Sequence, residues 1–139
     1  MDDVVLPTDY HPTEDEPFMG PQQREYFRRR LIEWKSEILR DAQDTLINLQ
    51  ESEGQSPDIA DRASTESERS LELRTRDRQR KLISKINAAL NRVEDGSYGY
   101  CEDSGEPIAL KRLIARPIAT LSIEAQERHE RRERVYRDD

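Results

Sequence analysis

Four positions of this 139-residue chain carry the spacing of a metal site. Cys101-x2-Ser104 and Ser122-x2-Ala125 are two knuckles separated by seventeen residues. Filled with cysteine, such a frame would hold zinc, which takes four N or S ligands in a tetrahedron. Here one thiol stands with two hydroxyls and a methyl group, and His11 and His129 occupy neither knuckle, so no bound zinc is expected. Cys101 is the chain's single cysteine and has no disulfide partner. The expected role is a small, partly buried side chain whose pKa the neighbouring Glu102 and Asp103 would raise. A second group lies in the stretch from Glu51 to Ala63, where Asp58 and Asp61 alternate with Ala60 and Ala63. Two carboxylates on a narrow tip could help to coordinate Mg²⁺, and either could cap a helix. No Ser/His/Asp or Cys/His arrangement and no phosphate-cradling loop occurs, so the chain is not read as an enzyme.

These residues need elements to hold them. From Pro21, suited to a first helical position because its missing N–H would be unbonded there anyway, the series Phe27, Leu31, Trp34, Ile38, Ala42, Thr45, Leu49 repeats at three and four. A second series, Leu71, Thr75, Arg78, Leu82, Ile86, Ala89, Val93, has the same period. Each is a coiled-coil seam. Gly54, Ser56 and Pro57 break the helical pattern between them, so the two helices should return antiparallel, with Arg78 turning its charged head outward. Gly96 suits the left-handed position that ends the second helix. The expected fold is mainly α, a long antiparallel coiled-coil hairpin on a small globular domain with a C-terminal helix. Its parts are an acidic N-terminal segment at 1–20, the coiled coil at 21–95 with its tip at about 51–63, a degenerate zinc-finger region at 96–121, and the helix at 122–139.

Charge and composition limit the function. Hydrophobic residues are 33% and charged residues 38%, which is too lean for a thick core and normal for helices that bury a stripe. The net charge of −7 disfavours nonspecific nucleic-acid binding, which rests on Lys and Arg. Along the returning helix the sign changes, from an acidic start to a stretch at 73–94 with seven bases against Asp77 and Glu94. The first twenty residues, acidic and punctuated by proline, read as mostly irregular. The last segment, started by Thr120 or Ser122, offers Glu124/Arg128, Glu127/Arg131, Glu130/Arg134 and Glu133/Arg137 as i,i+4 pairs. Without a signal peptide or an apolar run long enough for a membrane span, a cytoplasmic protein is expected. In place of zinc, the region from 96 onward would be packed by Tyr98, Tyr100, Ile108, Leu110, Leu113, Ile114, Ile118, Leu121 and Ile123.

Several of these motifs in one register resemble the DksA/TraR family of RNA polymerase-binding transcription regulators. They are Asp58-Ile-Ala-Asp61-Arg-Ala63, Ser70 to Arg78, Arg80 to Ile86, Val93 to Cys101, Gly105-Glu-Pro-Ile and Arg112-Leu-Ile-Ala-Arg-Pro117. The chain keeps the first of the family's four cysteines and so resembles its cysteine-poor branch. The resemblance implies a protein that inserts its coiled coil into the secondary channel of RNA polymerase and changes open-complex stability together with ppGpp, at ribosomal RNA and amino-acid promoters in the stringent response; the breaker-rich turn, which pairs the helices within one chain, predicts a monomer. It implies a functional tip at Asp58, Asp61 and Ala63. A ppGpp site falls on Leu82, Lys85 and Arg116, where a further family lysine is Gln126. Arg74, Arg78 and Lys81 become candidates for the polymerase rim. A Gre-type transcript-cleavage factor and a coiled-coil adaptor are the competing readings.

Overall fold

The computed structural model describes residues 4–53 and 59–138, with the backbone alone for Leu49, 52–53, 59–65 and 137–138. Four helices follow one another among the described residues: α1 (Pro21–Glu53), α2 (Ile59–Asp95), α3 (Leu110–Ala115) and α4 (Ile123–Asp138). No strand occurs among these residues; Tyr100 and Pro107 form an isolated antiparallel bridge. The mainly helical expectation holds, and α1 starts at the proline that the sequence marks. Two compact units are present, one made of residues 1–31 with 88–139 and the other of 32–87.

The second unit contains the facing parts of α1 and α2. Ile38 and Ile86 are buried, and Trp34, Ala42, Thr45, Thr75, Leu82 and Ile83 are half-buried. Thr45 and Thr75 satisfy their hydroxyls within their own helices, donating to the carbonyls of Asp41 and Leu71 at 3.0 Å each. This lets a polar residue sit on the seam without an unpaired donor. The α1 series from Phe27 to Thr45 is buried or half-buried as its spacing predicts, and the side chain of Leu49 lies outside the described residues. In the α2 series Thr75 and Leu82 are half-buried, Ile86, Ala89 and Val93 are buried, and Arg78 is exposed as its charged head requires; the departure is Leu71, 58% exposed, while Glu72, Arg76 and Gln79 are half-buried. Toward the outer end of α2 the buried and half-buried positions run through 72, 76, 79, 83 and 86, in alternating fours and threes, and Leu71 and Leu73 are left exposed.

The shifted seam encloses the carboxamide oxygen of Gln79 without a hydrogen-bond partner in the protein. An unpaired buried acceptor costs about 1 to 3 kcal/mol. Gln79→Leu removes the acceptor at similar volume, so we expect it to raise the stability of the chain by about 1 kcal/mol, read as a higher urea midpoint with unchanged slope.

The first unit packs around Phe27, Leu31, Val93, Tyr98, Ile108 and Leu113, each at most 2% exposed. Its helix ends are ordered by local chemistry. The carbonyl of Arg92 accepts from the N–H groups of Gly96, Ser97 and Tyr98 at 3.0 to 3.1 Å, and Gly96 takes φ +86°, which closes α2 as expected. The acidic N-terminal segment is irregular and folds onto the same unit. Glu16 Oε2 accepts from the Tyr10 hydroxyl at 2.8 Å, from Gln23 Nε2 at 3.1 Å and from the Thr13 N–H at 3.2 Å. Those donors hold its carboxyl below the usual range, that of the tyrosine foremost. Phe18 packs edge-on against Tyr100 at 5.5 Å. Gly99, at φ +91°, leaves room for the segment, since a Cβ there would stand 3.1 Å from Met19 and 3.2 Å from Phe18.

Candidate functional site

The knuckle region is built from the backbone outward. Cys101 N–H donates to the Glu106 carbonyl and Gly105 N–H to that of Cys101, both at 2.8 Å, which closes a tight loop. Glu102 N–H reaches the Thr120 carbonyl at 2.9 Å and ties this loop to the second knuckle. There, Ser122 starts α4, its hydroxyl accepting from the Ala125 N–H at 3.2 Å, so the capping expectation is met at Ser122. Ser122 also points its N–H at the Cys101 sulfur, at 3.4 Å, and lies with Oγ 3.7 Å from it. Sequence reasoning missed a further link, His129 Nε2 to Asp103 Oδ2 at 2.9 Å, because 26 residues separate the partners and no spacing pattern marks them.

This arrangement does not fit zinc. Of the four frame positions Cys101 offers a thiol, Ser104 is exposed with its hydroxyl accepting from the Glu106 N–H at 3.3 Å, Ser122 is committed to the α4 cap, and Ala125 is fully buried with no donor atom. Among the described residues no group of three His, Cys, Asp or Glu could hold a metal. Packing of the region rests on fewer side chains than expected: Tyr98, Ile108, Leu110 and Leu113 are buried, but Tyr100, Ile114 and Ile123 are exposed. Tyr98 adds a buried hydroxyl that donates to the Pro117 carbonyl at 2.7 Å, and burial pushes its pKa up.

Cys101 corrects another expectation. It is buried, and burial alone would raise its pKa, as the adjacent acids were expected to do. The hydroxyl of Ser104 and the backbone N–H groups of Ser122, Ser104 and Asp103 outweigh burial and lower the thiol to about 6. Because the folded value lies below the unfolded one of 9.0, the thiolate stabilises the fold above the unfolded pKa, and this contribution is lost as pH falls through about 6. Thiolate absorbance near 240 nm should therefore appear with a midpoint near pH 6 in the native chain and be absent from Cys101→Ser. A midpoint near 9 would remove the hydrogen-bonding account.

The charged candidates on α2 are placed as surface groups. Arg74, Arg78, Lys81 and Lys85 are exposed, Leu82 is half-buried one turn from Lys85, and Lys81 pairs with Asp77 at 3.2 Å. Arg116 is exposed at the C-terminal end of α3, in the other unit. Gln126 donates to Glu130 at 3.3 Å. Asp58 lies outside the described residues, and Asp61 and Ala63 are described as backbone near the start of α2. The pairs anticipated on α4 for Glu124, Glu127 and Glu130 with Arg128, Arg131 and Arg134 are not formed among the described residues, and each of these side chains is exposed. The fourth pair needs Arg137, whose side chain is outside them.

Comparison with known proteins agrees with this geometry. Residues 23–93 match the family described as DnaK suppressor protein DksA, N-terminal domain, and residues 96–131 match the prokaryotic dksA/traR C4-type zinc finger. The chain is 65% identical over 136 residues to the RNA polymerase-binding transcription factor DksA of Caulobacter vibrioides, covering 98% of this chain and 96% of that one. To the factor of the same name in Escherichia coli K12 it is 42% identical over 125 residues, covering 90% and 83%. Among solved structures, transcription factor DksA2 from Pseudomonas aeruginosa superposes with a TM-score of 0.79 at 42% identity, over 84% of this chain and 90% of that one. Two long helices followed by the knuckle region fall within matches that together span nearly the whole chain: the chain belongs to the DksA family.

Proposed function

We propose that this chain is a transcription regulator that binds RNA polymerase directly, acting as a cytoplasmic monomer without zinc and without catalysis of its own. The helical hairpin enters the secondary channel and carries Asp58, Asp61 and Ala63 toward the polymerase centre. There the carboxylates alter the lifetime of open complexes. Arg74, Arg78 and Lys81 contact the rim of the channel. Leu82, Lys85 and Arg116 contribute to a ppGpp site in the complex, since Lys as a point charge and Arg as a planar fork both suit phosphate. With Gln126 in place of a further cation and its amide turned to Glu130, ppGpp is held by fewer charges.

The observation that carries this reading is the 65% identity over nearly full length to a relative named as an RNA polymerase-binding factor. The two long helices and the exposed bases on α2 support it. The test is the half-life of competitor-challenged open complexes at a ribosomal RNA promoter, with and without ppGpp. The chain should shorten it, and ppGpp should shorten it further. An unchanged half-life at saturating protein overturns the proposal.

A further inference from the structure

The segment ahead of α1 is held to its unit by side chains rather than by backbone. Among the described residues its own main-chain hydrogen bonds are short turns, from Tyr10 N–H to the Pro7 carbonyl at 3.0 Å, Glu16 to Thr13 at 3.4 Å and Gly20 to Pro17 at 3.2 Å. Its hold on α1 centres on Gln23, which is buried and spends its whole carboxamide on the segment. Nε2 donates to the Thr13 carbonyl at 3.0 Å and to Glu16 Oε2, while Oε1 accepts from the Met19 N–H at 2.9 Å. Tyr10 adds an edge contact with Tyr26, ring centres 6.0 Å apart. From α1 the segment crosses to the first knuckle. Phe18 and Met19 lie against Gly99 and Tyr100, and Thr13, Glu16 and Phe18 share the wall of a cavity with Pro107, Ile108 and Leu110. Gly99–Tyr100 and Pro107–Ile108 are the two arms of the knuckle loop, joined by the Ile108 N–H to the Gly99 carbonyl at 2.7 Å and by the bridge between Tyr100 and Pro107.

We infer that this segment is a strap that keeps the first knuckle closed, and that its release opens the knuckle and admits solvent to the Cys101 sulfur. The second knuckle holds only the loop beyond the arms, through Glu102 to Thr120, Cys101 to Ser122 and Asp103 to His129. No frame ligand draws the arms themselves inward, since Ser104 bonds within its own loop and Ala125 has no donor atom. The strap supplies that hold by packing on both arms at once. Two positions of the body are shaped to receive it: Gln23, whose buried amide would lose its partners if the segment left, and Gly99, where a Cβ would displace Met19 and Phe18. A segment with no main-chain ladder to the body can leave as a unit, at the low end of the free energies of local opening. Cys101, 2% exposed and the chain's single cysteine, reports that opening. The strap acts on the knuckle whatever the hairpin binds.

The test is the rate at which the full-length chain reacts with dithiobis(nitrobenzoate), each Cys101 thiolate forming a mixed disulfide and releasing one coloured thionitrobenzoate. Phe18→Ala removes the contact with Tyr100 and should speed the reaction about tenfold or more. Tyr10→Phe keeps the ring against Tyr26 and removes one donor from Glu16, so a rise of about threefold is expected. Ile38→Ala truncates a buried side chain of the other unit and should react like the parent, because local opening of the knuckle does not pass through the hairpin. Strap variants that react at the parent's rate overturn the inference. So does an Ile38→Ala rate that rises as far as theirs, which would assign access to unfolding of the whole chain. Should Phe18→Ala fail to fold, Tyr10→Phe set against Ile38→Ala decides in the same way. A parent that reacts as fast as the chain in urea would show a knuckle open without release, and would also overturn it.

Discussion

Asp61→Asn is expected to bind core RNA polymerase as tightly as the parent and to leave open-complex half-life at a ribosomal RNA promoter unchanged, with or without ppGpp. The substitution is nearly isosteric, so it removes charge and little else. If the carboxylate acts inside the polymerase as proposed, its loss forfeits a charge-assisted contact of about 1.5 to 3 kcal/mol, which is a factor of about ten or more in the effect. A role confined to the helix predicts something different. Asp61 lies near the start of α2, where a negative charge is worth about 0.3 to 1 kcal/mol against the helix dipole and Asn remains a good capping residue. Loss of that contribution alone would lower the melting temperature by a few degrees and leave the action on open complexes in place. Half-life and thermal melting measured on one preparation separate the two. A variant that still shortens the half-life like the parent removes Asp61 from the mechanism.

The hairpin was legible because apolar spacing reports directly on what a helix buries. Pro21 and Gly96 marked their ends for equally local reasons, a missing N–H in one case and a left-handed φ in the other. The error lay in the outer half of α2. Leu71 is a better seam residue than Glu72 by hydrophobicity, and Thr75 served either register, so composition chose the wrong face. In the structure the half-buried positions between Ile86 and Glu72 include Ile83, Gln79 and Arg76, and Leu71 is left outside them.

At the knuckles, spacing showed the frame and residue identity showed that it lacks its ligands. What fills the frame had no signal, because backbone N–H groups hold the Cys101 sulfur and every residue has one. Neighbouring Glu102 and Asp103 were a poor guide to that thiol, since the Asp103 carboxylate is turned to His129 while its N–H faces the sulfur. Residue types supplied the candidate groups at Lys85, Arg116 and the tip. Their roles depend on a partner's surface, about which one chain's spacing says nothing.

Ser104→Cys/Ser122→Cys/Ala125→Cys should convert the frame into a zinc site and produce the largest gain in stability of any change considered. In a zinc tetrahedron with Zn–S of about 2.3 Å, neighbouring sulfurs are about 3.8 Å apart. Cys101 Sγ and Ser122 Oγ already stand 3.7 Å apart, so one edge of the tetrahedron is present in the folded chain. Ser104 supplies its position from the adjoining loop, and the Ala125 methyl points from the buried side of α4. The N–H groups that lower the Cys101 pKa would serve equally to hold metal-bound thiolates. Structural zinc contributes about 10 to 16 kcal/mol in finger peptides, and part of that is offset here by losing the Ser122 cap, about 1 kcal/mol, and by crowding where the Ala125 methyl was. The variant should bind one equivalent of zinc, show the thiolate-to-metal absorption of a four-sulfur site with Co²⁺, and melt well above the parent until a chelator is added. The parent should melt at the same temperature with and without chelator, because packing around Tyr98 and the hydrogen bonds at Cys101 already close the knuckles. A parent that unfolds in chelator would show that metal holds it after all, and a variant that binds no zinc would show that the knuckles no longer converge.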